Sequence, residues 1–146
     1  MIPDNHAVQE AILCLPADLE HLPAFLDHVR RMAEVAGVAD ARIARLELAV
    51  EEALVNVVNY AYGDRTQAGT VQCRVAVQAE GLRVEIADEG PPFDPLARPD
   101  PDTAVDLDQR EPGGLGILLI KSLASKVAYR REGDRNVLRI ELQKDE

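Results

Sequence analysis

Hydrophobic and polar residues follow a helical period through the first third of the chain, after a short alternating stretch. Residues 7–15 alternate loosely, with Ala11, Leu13 and Leu15 on one side, which predicts a strand. Two helices are then predicted, the first from a cap at Asp18 to Gly37 and the second from a cap at Asp40 to about residue 62. The first helix carries its apolar stripe at Leu22, Phe25, Leu26, Val29, Met32 and Ala33.

The second half predicts strands around one more helix. Residues 70–79 and 82–87 alternate strictly on either side of Glu80-Gly81, which indicates an antiparallel hairpin. A helix follows Gly113, Gly114 and Gly116, and residues 127–131 and 137–142 predict a closing strand pair. Because helices and strands are segregated, we expect one α+β domain over residues 1–146, a two-layer sandwich with a mixed or largely antiparallel sheet.

Composition narrows the possible functions. The chain has 146 residues, 47% of them hydrophobic, which suffices for a core. A formal net charge of −10 repels phosphate backbones and anionic lipid, so we expect no direct nucleic acid and no membrane surface as partners. We also expect no membrane span and no signal peptide, and therefore a cytoplasmic protein. Cys14 and Cys73 are expected to be buried free thiols, although a disulfide is possible.

Polar residues on the second predicted helix point to a cation. At 100° per residue, Glu52, Asn56 and Asn59 fall opposite an apolar sector. That sector contains Ile43, Leu46, Val50, Ala53, Leu54 and Val57. A solvated polar face would explain this pattern, but Asn is a poor residue for a helix interior. An Asn carbonyl beside a carboxylate could instead ligate or orient Mg²⁺, with water completing the coordination.

Two glycine-containing motifs lie downstream. Asp88 follows a predicted strand in Asp88-x-Gly90, where its carboxylate could accept a hydrogen bond from an exocyclic amine such as that of adenine. An ordinary Asp-x-Gly turn is the alternative. The glycines at 113, 114 and 116 open a helix whose N-terminal N–H groups suit a phosphate, although a plain glycine turn would look the same. Residues 94–112 between the motifs are long and proline-rich, as in a functional lid.

These three motifs together resemble the N, G1 and G2 boxes of the GHKL (histidine kinase-like) ATPase superfamily. The stretches "EEALVNVVNYAYG", "VEIADEGPPFDP" and "REPGGLGILLIKSLAS" are most similar to anti-sigma-factor serine/threonine protein kinases. The resemblance implies ATP and Mg²⁺ as cofactors, a histidine kinase-like ATP-binding fold, and residues 94–112 as the ATP lid. It also implies a family Thr in the closing strand, where this chain has Asn136 and Leu138 and no Thr.

The resemblance also implies a role for each matching residue. Asn56 would ligate Mg²⁺, Glu52 would be the catalytic base or orient the attacking hydroxyl, and Asp88 would read the adenine amino group. Arg110 would reach the terminal phosphate as a second catalytic residue. The implied cofactor-binding set is Asn56, Asn59, Asp88, Gly90, Phe93, Gly113, Gly114, Leu115 and Gly116.

By resemblance, the protein would be an anti-sigma factor that phosphorylates a serine or threonine of a STAS-domain anti-anti-sigma protein and sequesters a sigma factor. Members of this family commonly dimerise, so a homodimer is expected. The alternative is a nucleotide-dependent binding module without kinase activity. No helix pair with a phosphoacceptor His is evident, which argues against a histidine kinase proper.

Overall fold

Three helices and five strands make up the part of the chain that the computed structural model describes, residues 9–61, 69–97 and 114–143. They are β1 (Gln9–Pro16), α1 (Leu22–Val35), α2 (Asp40–Asn56), β2 (Thr70–Gln78), β3 (Gly81–Asp88), α3 (Gly114–Leu123), β4 (Lys126–Glu132) and β5 (Arg135–Gln143). Short 3₁₀ turns cover Leu19–His21 and Pro95–Ala97, and a π-helical turn covers Val57–Ala61.

The strands form one sheet in the order β1-β2-β3-β5-β4, and every neighbouring pair of described strands is antiparallel. The predicted α+β sandwich is confirmed, with an antiparallel sheet rather than a mixed one. The register places Leu13, Cys73, Ile86, Leu138 and Tyr129 in one row across the sheet. Because side chains alternate between faces, this row fixes which residues of every strand face the helices.

The core lies between the sheet and the helices. The alternating apolar residues of β2 and β3 are buried, and the two long helices cover them with the predicted stripes. These strand residues are Val71, Cys73, Val75, Val77, Leu82, Val84 and Ile86. Leu46, Leu82, Ile120 and Ile140 are among the largest fully buried side chains. Each such burial stabilises the fold by roughly 1.5–3 kcal/mol relative to exposure.

The helix ends differ in detail from the sequence prediction. Asp18 caps the 3₁₀ turn before α1, accepting from the His21 backbone N–H at 3.1 Å. Asp40 lies in the first turn of α2, and Ala39 takes the cap position that was predicted for Asp40. Gly37 ends the first helix as predicted, in the left-handed region with φ +83°.

The two cysteines are free and lie on opposite faces of the sheet. Leu13, not Cys14, stands opposite Cys73, so the two thiols point away from each other on adjacent strands. Burial raises the pKa of Cys73 to about 12, which keeps this thiol protonated. Cys14 is exposed, so the prediction of two buried thiols is wrong for Cys14.

The outer face of the sheet carries one buried acid, Glu85, which is 8% exposed. Burial alone would raise the pKa of Glu85, but bonds to its Oε2 from Arg139 Nε at 2.8 Å and Arg130 Nη1 at 3.2 Å outweigh that effect and lower it. The carboxylate therefore stays charged and links β3, β4 and β5.

Within the described ranges, none of the helices combines the length and the hydropathy that crossing a bilayer requires.

We predict that Gly81→Ala destabilises the sheet strongly. A Cβ atom at Gly81 would lie 2.0 Å from the carbonyl oxygen of Leu142, a backbone atom of the paired strand. We expect a loss of about 3 kcal/mol or more in the free energy of unfolding, at the upper end of overpacking costs. Urea denaturation of both proteins would measure it. The matched control is Gly133→Ala, where φ is +62° and nothing lies within 4 Å of the new Cβ. Conformational strain alone should cost about 1–2 kcal/mol there, and equal losses in the two variants would contradict the predicted clash.

The pH dependence of stability provides a second prediction, centred on His28 of α1. Burial lowers the pKa of His28 below its usual 6.5, although the nearby backbone of Cys73 and Ala11 opposes the shift. Below that pH the unfolded chain binds more protons at this site, so the stability present above pH 6.5 is lost progressively as the pH falls. We expect His28→Gln to flatten the decline in unfolding free energy between about pH 7 and 5. An unchanged slope in His28→Gln would contradict the assignment.

Candidate functional site

A cavity opens between the C-terminal end of α2 and the sheet, and encloses about 410 Å³ of space that is partly open to solvent. Its apolar wall is formed by Ala53, Val57, Ile86 and Leu138, and its polar residues are Asn56, Asp88, Tyr129 and Asn136. Phe93 and Pro95, from the segment after β3, complete the described lining. An apolar lining with a few polar groups is typical of small-molecule sites.

Asn56, the last residue of α2, is 4% exposed and lines this cavity. Its Nδ2 atom is buried and has no hydrogen-bond partner among the described residues. Leaving such a group unsatisfied costs about 1–3 kcal/mol, which a bound ligand could offset. The predicted polar face of this helix excluded Ala53 and Val57, but Ala53, Asn56 and Val57 line the same cavity. That prediction was wrong because, at 100° per residue, Asn56 lies only about 60° from Ala53, at the edge of the apolar sector rather than opposite it.

Glu52 and Asn59, the other two polar residues predicted on this helix, have different surroundings. Glu52 lies one turn before Asn56, is half-buried, and has its Oε2 atom buried. Asn59 is exposed and is not among the described residues that line the cavity. It lies in the π-helical turn Val57–Ala61, where the angle per residue is smaller than 100°, so helical-wheel spacing from Asn56 no longer holds.

Asp88, the last residue of β3, is 6% exposed and lines the cavity. Its Oδ1 atom accepts from the Gly90 backbone N–H at 2.9 Å and from Asn136 Nδ2 at 2.9 Å. The Asp-x-Gly turn therefore forms, and it also fixes the carboxylate. Both bonds that the described residues donate to this carboxylate end on Oδ1.

Asn136 is a site residue that the sequence analysis did not predict. It begins the inward-facing series of β5, is 5% exposed, and lines the cavity with Leu138. In the sequence it was evident only as a departure from the family Thr. A usable signal was present: residues 136, 138, 140 and 142 share one face of a strand, and only the first of them is polar. A polar residue at a core-facing position requires a partner, and that partner is Asp88, opposite it in the register.

Tyr129 and Arg131 extend this network from β4, and neither was predicted. The Tyr129 hydroxyl donates to Asn136 Oδ1 at 2.6 Å. Arg131 Nη1 donates to the Gly90 carbonyl at 2.7 Å and approaches Asn136 Oδ1 at 3.3 Å. The turn after β3 is thus bonded to the closing strand pair.

The predicted phosphate-binding residues fall only partly within the described chain. Gly114 is the first residue of α3, and Leu115 and Gly116 lie in its first turn, as the sequence analysis predicted for a helix opened by glycines. Gly113 and Arg110 lie outside the described residues, as does the predicted lid beyond Ala97.

Comparison with known proteins supports the resemblance drawn from the three motifs. Residues 15–142 match the histidine kinase-like ATPase domain. The serine-protein kinase RsbW of Bacillus pumilus is 30% identical over 128 residues, which cover 84% of this chain and 79% of that protein. RsbW of Bacillus velezensis is 33% identical over 119 residues, covering 77% and 72% respectively.

Solved structures agree on the fold. A crystal structure of the RsbU and RsbW domains of Rv1364c from Mycobacterium tuberculosis aligns with a TM-score of 0.63 at 16% identity, over 93% of this chain and 32% of that chain. A histidine kinase domain from Erythrobacter litoralis aligns with a TM-score of 0.54 at 23% identity, over 84% of this chain and 61% of that chain. The sequence comparisons show that this chain belongs to the histidine kinase-like ATPase domain family, and within it to the serine/threonine protein kinases related to RsbW.

Proposed function

We propose that the cavity binds the base of ATP and that the chain transfers the terminal phosphate to a serine or threonine of a partner protein. The observation that carries this proposal is the pairing of two buried polar groups in one apolar cavity. Asn56, 4% exposed, and Asp88, 6% exposed, line it together. Groups buried to this extent are normally satisfied, and the amide of Asn56 has a buried nitrogen without a partner in the described chain.

The residues present fit a magnesium ion held jointly by protein and nucleotide. The described residues contain no cluster of three or more His, Cys, Asp or Glu side chains that could hold a metal by themselves. Mg²⁺ commonly takes one or two protein oxygens plus substrate phosphates and water, and the side-chain oxygen of Asn56 is a hard donor of that type. When bound, the ion would neutralise charge on the phosphates and on the phosphoryl group in transfer.

The protein's own contribution is positioning. Asp88 would accept from the exocyclic amine of the base, while Ile86 and Leu138 form part of the apolar wall beside it. Glu52, one turn from Asn56, would orient the attacking hydroxyl and accept its proton. The N-terminal turn of α3 would offer backbone N–H groups to the phosphates. Gly113 and Arg110 complete the proposed site.

We further propose that the acceptor is a STAS-domain anti-anti-sigma protein and that the chain sequesters a sigma factor as a cytoplasmic homodimer. The support is the similarity to the RsbW kinases. The exposed free thiol of Cys14 is consistent with a reducing compartment.

The decisive experiment incubates the purified chain with γ-labelled ATP, Mg²⁺ and a STAS-domain protein encoded near it. We expect label on a serine or threonine of the STAS protein. Nucleotide binding without label on the partner would favour the binding module without kinase activity. Absence of both would remove the proposed function.

Asn56→Ala should lower the affinity for nucleotide without lowering the stability of the free protein. Removing a buried amide with an unsatisfied nitrogen should leave the melting temperature of the free protein unchanged or higher. Affinity for Mg–ADP should fall by about tenfold or more, equivalent to 1.4 kcal/mol. Thermal unfolding and titration calorimetry measure the two effects. Leu48→Ala, an exposed change on α2, should alter affinity by less than about threefold. Unaltered affinity in Asn56→Ala would contradict the proposed role of Asn56.

Glu52→Gln should abolish transfer while leaving the nucleotide bound. Loss of a positioned base lowers turnover by about 10²–10⁴-fold. We expect a decrease in kcat of this size for the STAS protein, with little change in the Kd for Mg–ADP. Glu51→Gln, the neighbouring acid on α2, is the control and should keep near-normal activity. Full turnover in Glu52→Gln would remove this residue as the base.

A further inference from the structure

We propose that Asn136 is the positioning residue that orients the Asp88 carboxylate for base recognition, and that Tyr129 and Arg131 make purine selectivity depend on the β4–β5 strand pair. This inference rests on the proposed nucleotide site. It concerns a position where the chain departs from the family pattern, since no Thr is present there.

The side-chain amide of Asn136 uses all of its hydrogen-bonding capacity. Nδ2 donates to Asp88 Oδ1 and to the Pro91 carbonyl, each at 2.9 Å. Oδ1 accepts from Tyr129 OH at 2.6 Å and from the Phe93 backbone N–H at 3.1 Å. An amide offers two N–H donors and two lone pairs, so four partners saturate it, and Arg131 Nη1 at 3.3 Å is a fifth neighbour.

The orientation of this amide is fixed by its neighbours. A backbone N–H such as that of Phe93 can only donate, and the Pro91 carbonyl can only accept. Exchanging the amide oxygen and nitrogen would therefore place a donor against a donor at Phe93 and an acceptor against an acceptor at Pro91. Asn136 must present an N–H to Asp88, and it must do so at 5% exposure, where water cannot readily substitute.

The two oxygens of Asp88 therefore have different roles. Oδ1 accepts from Asn136 and from the Gly90 N–H, each at 2.9 Å. Oδ2 is then held in one orientation as an acceptor at the cavity. A 6-amino purine offers a donor to that oxygen, whereas a 6-oxo purine offers a carbonyl oxygen, and two acceptors repel each other. Sites built around a substrate hydrogen bond discriminate strongly against analogues that lack it.

The same residue also fixes the segment after β3. Asn136 bonds the backbone of Pro91 and Phe93, and Arg131 bonds the Gly90 carbonyl at 2.7 Å. Phe93 itself lines the cavity. One side chain on β5 therefore sets both the carboxylate that would read the base and the backbone of a segment that lines the site.

The test compares ADP with IDP, which differ at the purine 6-position, by titration calorimetry in the presence of Mg²⁺. The wild-type chain should prefer ADP. Asn136→Ala should lower the ADP-to-IDP affinity ratio by about tenfold, the equivalent of one hydrogen bond to a charged group. Asn136→Thr should restore part of the ratio, because a hydroxyl can donate to Asp88 but cannot also bond both Pro91 and Phe93.

The Asp88→Asn variant tests whether Asn136 acts through Asp88. If Asn136 acts through Asp88, adding Asn136→Ala to Asp88→Asn should lower the ratio no further. Tyr129→Phe removes a single hydroxyl bond and should produce a smaller change in the same direction, and it remains informative should Asn136→Ala fail to fold.

The possible results distinguish a failure of this inference from a failure of the proposed function. A fall in ADP and IDP affinity by the same factor would mean that Asn136 only supports the fold, and would overturn the inference while leaving the proposed function intact. A wild-type chain that binds neither nucleotide would remove the proposed function, and this inference with it.

Discussion

A buried carboxylate at the end of a central strand needs donors, and at Asp88 this need joins β3, the turn after it and β5 at the cavity. At 6% exposure the charged form of the group is expensive to desolvate unless N–H groups replace the lost water. Two do so, Gly90 from the following turn and Asn136 from β5. The first bond shapes the turn after β3, and the second makes the closing strand part of the site. The antiparallel pairing of β3 with β5 brings Asp88 and Asn136 opposite each other across 48 residues of sequence.

Local patterns in the sequence predicted most of the fold. Alternation correctly placed the apolar residues of β2 and β3 on one buried face, and Gly37 correctly ended the first helix, because each is decided by interactions within a few residues. The residues of the candidate site were harder to predict from the sequence than the fold. Asn56 was predicted as a cation ligand on the face opposite the apolar sector, although at 100° per residue it lies only about 60° from Ala53, at the edge of that sector. The hydrogen bond between Asn136 and Asp88 was not predicted, because it depends on which strands are neighbours in the sheet. The periodicity of a single strand does not contain that information. Tyr129 and Arg131 were missed for the same reason.

The end of α2 shows how the fold places polar chemistry beside a core. Ala53 and Leu54 are buried in the packing of the helix, and two residues later Asn56 is equally buried but faces the cavity. The helix then changes to a π-helical turn at Val57, a feature frequent at functional sites because it redirects side chains that a regular helix would stack in line. Here the change leaves Asn56 as the last residue of regular helix and turns Asn59 to solvent.

Charge is the remaining constraint on an anion site in this chain. The protein carries a net charge of −10, and the described residues lining the cavity contribute one carboxylate and no cationic side chain. Arg131, close by, has a guanidinium committed to backbone and amide oxygens. Arg130 and Arg139 are paired with Glu85 on the opposite face of the sheet. A polyphosphate could bind such a protein only if positive charge arrives with it or is concentrated locally. This requirement is the physical reason for proposing three sources of positive charge at the site. They are a magnesium ion on Asn56, the backbone amides at the start of α3, and Arg110.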